Sequence, residues 1–244
     1  MTIRILVNGA FGKMGQLTAK TINNNPELIL AGQTGRDHHL AAEIKQTGAQ
    51  VVIDFTHADA VLQNLQTIID AGAHPIIGTS GLVKEQIAPL QTRCAQLKLG
   101  GVIAPNFSLG AILMMKYAQE IATYFPYVEI IEMHHADKLD SPSGTAVRTA
   151  ELLSATRSLP KTSIKQSKEV IPGARGANYQ DIAIHAVRLP GLVAHQQIIF
   201  GGTGETLTLR HDAIDRECFM PGIILACKKV MHLNQLVYGL EHIL

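Results

Sequence analysis

Ile3, Ile5, Leu6 and Val7 make a short apolar run near the start of the chain, and the next seven positions after Asn8 read Gly9-Ala10-Phe11-Gly12-Lys13-Met14-Gly15. Residues 16–23 then take on helical character. A buried strand that runs straight into a glycine loop and a helix admits few folds. The spacing is GxxGxxG rather than GxGxxG, but the mechanics carry over. Glycine permits the tight turn, lets a pyrophosphate approach the backbone and lets the helix pack close to the strand. A purely structural turn is the plainer reading of three glycines. The loop's place directly after the first strand favours a dinucleotide.

The strand–helix unit then repeats along the chain. Residues 27–33 read as a second strand, ending in Gln33-Thr34-Gly35-Arg36 where such sheets usually place an acid for the adenosine ribose. With glycine at 35 and a planar cation at 36, the 2′-phosphate of NADP is the better electrostatic match, and Asp37 is a further group able to reach a ribose hydroxyl. Val51-Val52-Ile53-Asp54-Phe55 is a strand; Ala58, Val61, Leu62, Leu65, Ile68 and Ile69 recur at helical spacing; Pro75-Ile76-Ile77 is a strand. Ile87, Leu90, Cys94 and Leu97 mark a helix, and Gly101-Val102-Ile103-Ala104 closes the series. Repeated strand–helix units predict a doubly wound, Rossmann-like parallel sheet. Ligands in such sheets bind beyond the carboxyl ends of the strands, here Gly78-Thr79-Ser80-Gly81, Pro105-Asn106-Phe107-Ser108, and Asp54 with Thr56.

The second half carries the acid–base groups. Residues 127–133 are rich in β-branched and apolar types and lead into Glu132-Met133-His134-His135-Ala136-Asp137-Lys138-Leu139-Asp140-Ser141-Pro142-Ser143-Gly144-Thr145-Ala146. Ser143 is placed to cap a helix over residues 145–158. A strand ending in two imidazoles, an ammonium and a helix N-terminus together make an anion site with proton donors. Each residue has a plainer reading on its own: strand-end histidines, a solvated lysine, an ordinary cap. A metal held by His134, His135 and Asp137 is disfavoured, because adjacent strand residues point to opposite faces.

Around this motif, residues 109–125 read as a helix leading into a second domain. Residues 159–180 read as a long loop with a short strand near 167–171. Residues 182–209 read as a meander of consecutive strands, turning at Gly201-Gly202-Thr203-Gly204. Residues 212–231 return to helical spacing, and Leu236, Leu240 and Ile243 finish a tail expected to rejoin the first domain.

The 244 residues, 46% hydrophobic, can fill a proper core, and a net charge of +1 with 17% charged residues gives no field for nucleic acid. Three cysteines without CxxC spacing suggest neither a disulfide framework nor a zinc cluster and fit a reducing cytoplasm. With no apolar leader or membrane-length run, a soluble, untargeted cytoplasmic protein is expected.

The string His-His-x-x-Lys-x-Asp-x-Pro-Ser-Gly-Thr-Ala, with Gly9 to Gly15, Asp54-Phe55-Thr56, Gly78-Thr79-Ser80-Gly81, Asn106-Phe107-Ser108, Gly110, Val187-Arg188, His211, Ala213, Arg216 and Phe219, resembles the bacterial dihydrodipicolinate (4-hydroxy-tetrahydrodipicolinate) reductases of lysine and diaminopimelate biosynthesis. The resemblance spans nearly the whole chain. It implies NAD(P)H-dependent reduction of a cyclic dicarboxylate, 4-hydroxy-tetrahydrodipicolinate, to tetrahydrodipicolinate; Gly35 and Arg36 make NADPH the preferred donor expected here, with NADH as the alternative. It implies His134 as the acid, Lys138 as the second donor, His135 holding substrate, and Gly144 and Thr145 binding a substrate carboxylate, with Thr79 between cofactor and substrate. Gly9, Ala10, Phe11, Gly12, Lys13, Met14, Arg36, Gly78, Thr79, Ser80, Ala104, Pro105, Asn106 and Phe107 would line the cofactor. A homotetramer assembled through the sheets of the second domain is also implied.

Three features depart from the family's pattern: Gly35 in place of a ribose-binding acid, Ala136-Asp137 in place of a more basic pair, and Arg188-Leu189-Pro190-Gly191 in place of a glycine-rich turn. The expectation is a dinucleotide-binding domain of residues 1–106 plus 213–244, with an inserted α+β substrate and oligomerisation domain of residues 107–212. A related NADP-dependent oxidoreductase on another dicarboxylic acid, or a non-catalytic nucleotide sensor, is the alternative. A sensor has no use for the proton donors.

Overall fold

The computed structural model describes residues 2–125, 127–156 and 168–244. Two compact units emerge, one of Met1–Leu109 with Arg216–Leu244 and one of Gly110–Asp215. Their edges fall slightly beyond 106 and 212, because a helix starts at Leu109 and the last strand of the second unit continues through Ala213.

The first unit holds β1 (Ile3–Asn8), α1 (Lys13–Asn23), β2 (Leu28–Thr34), α2 (Leu40–Thr47), β3 (Val51–Asp54), α3 (Ala58–Asp70), β4 (His74–Ile77), α4 (Lys84–Leu97) and β5 (Gly101–Ile103). After the second unit, the chain returns as a 3₁₀ turn at Arg216–Phe219, α7 (Met220–Val230) and β11 (Leu236–Tyr238). Six parallel strands lie in the order β11-β5-β4-β3-β1-β2. Ile5, Leu6 and Val7 are all fully buried, as a strand covered on both faces requires. On one face Leu6, Val52, Ile77 and Ile103 pack with Val61, Leu65 and Ile68 of α3 and Ile87, Leu90 and Cys94 of α4. α1 and α7 touch each other and the sheet as well. The strand order reverses at β1, and the glycine loop leaves from that point.

Two elements of this unit were not anticipated: α2, and β11, which adds a sixth strand beside β5. The tail helix is also shorter than residues 212–231, because Asp212 and Ala213 continue a β ladder opposite His195 and Ala194.

The second unit comprises α5 (Leu109–Ala122), β6 (Tyr127–His134), α6 (Gly144–Thr156), β7 (Ala177–Tyr179), β8 (Ile182–Arg188), β9 (Ala194–Gly202) and β10 (Glu205–Ala213). Its strand order is β10-β9-β6-β8-β7, so of the expected meander only the β9–β10 hairpin, turning at residues 201–204, is present, and β8 and β9 are not neighbours. β6 enters the middle, antiparallel to β9 and parallel to β8. The central strand can bury the most apolar surface, and β6 turns Val128 and Ile130 into a core with Ile184, Ile198, Phe200 and Leu153. The short strand lies at Ala177–Tyr179; residues 168–171 are not a strand, and residue 167 lies outside the described residues. Residues 157–158 of the expected helix and 159–166 of the expected loop also lie outside them.

Candidate active site

In the first unit the predicted cofactor residues gather along one edge, where parallel strands all end. Gly9 has φ +80°, and a Cβ there would overlap the Phe55 carbonyl oxygen; one on Gly15 would overlap the Gly9 carbonyl. A Cβ on Gly12 would make only ordinary van der Waals contact, 3.5 Å from that oxygen, so this position is uncrowded. Gly12 caps α1 without a side-chain bond, and the first turn of α1, with Lys13 and Met14, carries no acid. Its unpaired N–H groups and positive dipole end suit a pyrophosphate. Phe11 is 60% exposed, and its ring lies 6.0 Å from the His38 ring and 2.8 Å from where a Gly35 Cβ would stand. Arg36 is exposed, and its side chain makes no hydrogen bond or ion pair among the described residues.

Beneath this edge lies Asp54, 0% exposed, whose carboxylate accepts five hydrogen bonds. Asn8 Nδ2 (2.8 Å) and Asn64 Nδ2 (2.9 Å) reach Oδ2; Thr56 N (3.2 Å), Thr56 Oγ1 (2.8 Å) and Thr79 Oγ1 (2.6 Å) reach Oδ1. Thr34 Oγ1 donates to Asn8 Oδ1, which ties in β2. The Thr79 hydroxyl proton is therefore spent on Asp54, leaving the residue's backbone and one lone pair for a ligand. Gly78 sits against the Phe55 and Phe107 rings, themselves edge-to-face at 5.9 Å. Ala104 and Phe107 are buried, Pro105 and Ser80 exposed, and Asn106 Oδ1 accepts the Ser108 N–H.

The second unit brings His134, Lys138, Gly144 and Thr145 around one buried carboxylate. β6 turns Val128, Ile130 and Glu132 inward in alternation, so Glu132 occupies a core position and is 0% exposed. Burying a carboxylate there is tolerable only if its charge and lone pairs are matched. Arg188, from β8, donates Nη1 to Oε2 and Nη2 to Oε1, both at 2.7 Å. His134 Nδ1 lies 2.6 Å from Oε2, and the Ser143 N–H donates to Oε1 at 3.0 Å. Burial pushes the Glu132 pKa upward, but these donors outweigh it and the group sits below its ordinary value. Glu132 is thus a carboxylate that only accepts, so His134 Nδ1 carries a proton and Nε2 is the nitrogen left free. Burial holds the imidazole below its ordinary 6.5, with Lys138 and Arg188 acting the same way and Glu132 opposing.

The loop after β6 is held from the same centre. Arg188 Nη2 also donates to the Asp140 carbonyl at 2.7 Å, and the Asp140 carboxylate accepts from Lys138 Nζ at 2.7 Å. Ser143 caps α6 as expected, its Oγ accepting from Ala146 N–H. The Gly144 and Thr145 N–H groups lack intrahelical partners, and a Cβ on Gly144 would meet nothing within 4 Å. His135 is exposed. Among the described residues no group of three or more His, Cys, Asp or Glu is placed to hold a metal ion, and no helix is long and apolar enough to cross a membrane. Glu132, Arg188 and Asp54 stand within the quoted motifs, but the sequence reading gave Glu132 and Arg188 no role and Asp54 only a place at the strand edge. The first two had a legible signal, a charge in phase with the inward residues of each strand.

A family model for the N-terminus of dihydrodipicolinate reductase matches residues 3–107, and one for its C-terminus matches residues 110–244. The chain belongs to the dihydrodipicolinate reductase family. Similar members include the 4-hydroxy-tetrahydrodipicolinate reductases of Legionella pneumophila strain Philadelphia 1, 54% identical, and Coxiella burnetii strain RSA 493, 52% identical, each alignment covering 100% of both chains. Among solved structures, a dipicolinate-bound dihydrodipicolinate reductase from Paenisporosarcina sp. TG-14 superposes with a TM-score of 0.94 at 41% identity, covering 100% of both chains.

Proposed function

We propose that this chain reduces 4-hydroxy-tetrahydrodipicolinate to tetrahydrodipicolinate, with NADPH preferred over NADH and His134 as the proton donor. The net change adds one hydride and one proton to the ring and releases one water. A bound nicotinamide supplies the hydride from its C4. Gly9, Ala10, Phe11, Gly12, Lys13 and Met14 would hold the pyrophosphate end, for which the uncrowded Gly12 and the acid-free start of α1 are the fit. Gly78, Thr79, Ser80, Ala104, Pro105, Asn106 and Phe107 line the remainder, with Thr79 serving cofactor and substrate through its backbone. Arg36 meets the 2′-phosphate of NADPH; its exposure and lack of a protein partner among the described residues support that assignment.

On the substrate side, Gly144 and Thr145 receive one carboxylate on their N–H groups and the Thr145 hydroxyl, and His135 holds the ring. His134 delivers a proton from Nε2 to the carbon beside the one that takes hydride. Because Nδ1–H is committed to Glu132, Nε2 can donate only from the imidazolium form. Lys138 is the second donor and offsets the negative charge of the diacid. The observation that carries this reading is the buried Glu132–His134 pair, which leaves one ring nitrogen free beside a cation and an open helix N-terminus. A non-catalytic sensor would have no reason to fix an imidazole so.

The decisive assay couples synthase-made substrate to loss of NADPH absorbance. His134→Gln should lower kcat by roughly 10²- to 10⁴-fold with NADPH affinity unchanged. Near wild-type turnover would remove His134 from the chemistry. The reading includes a homotetramer built through the second unit's sheet, supported by the half-exposed Ile131, Met133, Val187 and Ile199 on the face opposite its helices. Light scattering that returns a monomer would reject that part.

A further inference from the structure

Arg188 belongs to neither proton donor, yet it reaches what holds each of them. Its two terminal nitrogens take one lone pair on each oxygen of Glu132, His134 Nδ1 takes another and the Ser143 N–H the fourth. A carboxylate has about four such sites, so none is left over. Glu132 cannot turn without breaking a bond to the guanidinium, the imidazole or the helix cap. The same guanidinium holds the Asp140 carbonyl, and Asp140 holds Lys138. β6 and β8 set His134 directly opposite Arg188 in the parallel register, so this is a fixed property of the sheet.

We propose that Arg188 is a positioning residue for the reduction: acting through Glu132, it fixes the His134 ring with Nε2 free and weakens the hold of that carboxylate on the ring's second proton. The inference rests on His134 being the proton donor. An unshared carboxylate beside an imidazole strongly favours the imidazolium and makes it a poor acid. By sharing Glu132, Arg188 leaves the ring oriented but readier to give its proton up. The charged groups acting on the ring are Glu132 on its own strand, Arg188 from β8, and Lys138, itself paired with Asp140, from the loop after β6. β9 places uncharged Ala194 opposite it, and α6 has no acid in its first turn.

The test titrates His134 by NMR in histidine-labelled protein without ligands, its signal assigned by loss in His134→Gln, alongside the pH profile of kcat. Arg188→Met should raise the His134 pKa by about one unit or more and move the alkaline limb of the profile up with it. Glu132→Gln should shift both downward, and Arg188→Lys, which keeps the charge, should return the pKa to within about half a unit of wild type. Should Arg188→Met fail to fold, Arg188→Gln, which also removes the charge but keeps a donor for Glu132, takes its place with the same expected rise. A His134 pKa that stays put in all of them while kcat falls would make Arg188 a merely structural brace and overturn the proposal. Failure of the underlying reading looks different: His134→Gln turns over normally whatever the titrations give.

Discussion

Asp54→Ala should be among the most damaging single changes in the first unit, although Asp54 stands behind the cofactor edge. Its carboxylate accepts from Asn8, Asn64, Thr56 and Thr79, and not all of these donors suffer equally when it goes. Asn64 Nδ2 keeps Thr56 Oγ1 at 3.0 Å, and the Thr56 N–H keeps Thr79 Oγ1 at 2.8 Å. Asn8 is 5% exposed, and its amide has no second acceptor among the described residues; leaving it bare costs about 1–3 kcal/mol. Adding the lost hydroxyl bonds and the void, the total is about 3–5 kcal/mol. For a chain this long that is roughly a 10 °C fall in Tm. Asp54→Asn should cost about 1–2 kcal/mol, because its amide oxygen can face Asn8 and Asn64 while the hydroxyls reorient toward its NH₂ group. The chain has no tryptophan, so far-UV circular dichroism in urea is the natural readout, with hydrogen exchange to place the loss at the ends of β1, β3 and β4. Dinucleotide affinity should fall too, since Asp54 seats Thr79. An alanine variant within about 0.5 kcal/mol of wild type, or an asparagine variant as damaged as alanine, would refute the reasoning.

Lys138→Ala should lower kcat/KM at least roughly tenfold, since a hydrogen bond to a charged group contributes about 1.5–3 kcal/mol; a dicarboxylate analogue that binds both proteins equally would contradict a clamp at this site. Arg36→Ala should erase most of a kcat/KM preference for NADPH that itself shrinks as salt rises, with NADH kinetics little changed. Equal losses with both cofactors would mean that Arg36 supports the loop instead. Stability should be flat near neutrality and fall on both sides, followed by urea midpoints across pH. Burial depresses His74, His134 and His211, so their neutral forms favour the fold above 6.5 and that contribution is lost as pH falls below it. Glu129 and Glu132, depressed by their partners despite burial, extend the decline below 4.5. On the alkaline side burial raises Cys94 to about 11 and Cys227 to about 12, so the unfolded chain releases these protons first and stability drops above 9.0. Rising stability between pH 6.5 and 4.5 would reverse the sign.

The parallel sheet was legible because its strands are continuous apolar runs between helices of clear period, and Ile5-Leu6-Val7 admits no other placement than a two-faced interior. The misses have physical causes. In α2, Leu40–Thr47, only Ile44 is buried, so no apolar stripe announces it. β11 is three residues, Leu236–Tyr238, too short to set a period of two against the helical spacing of Leu236, Leu240 and Ile243. In the second unit β6, β8, β9 and β10 were visible as strands, whereas β7 is three residues with none buried and gave no period to read; but pairing is not a property of one strand. Nothing local to β6 says that β8 and β9, far along the chain, will close around it.

The site divides along the same line. Residues proposed to meet a ligand sit at strand ends and helix starts, where glycines, histidines and caps stand out from their surroundings, and a motif gathers them. Residues that hold those in place lie inside secondary structure and look like ordinary strand positions. Glu132 and Arg188 nevertheless carried a signal. Counting by two from Val128 and Ile130 reaches Glu132 and then His134, and counting from Ile182 and Ile184 reaches Arg188. A carboxylate and a guanidinium on the inward register of two strands of one sheet are each too costly to bury alone. Either they pair or the strands are misassigned. The alternation that located the core could therefore have located the carboxylate that holds His134, had its charged exceptions been weighed as heavily as its apolar rule.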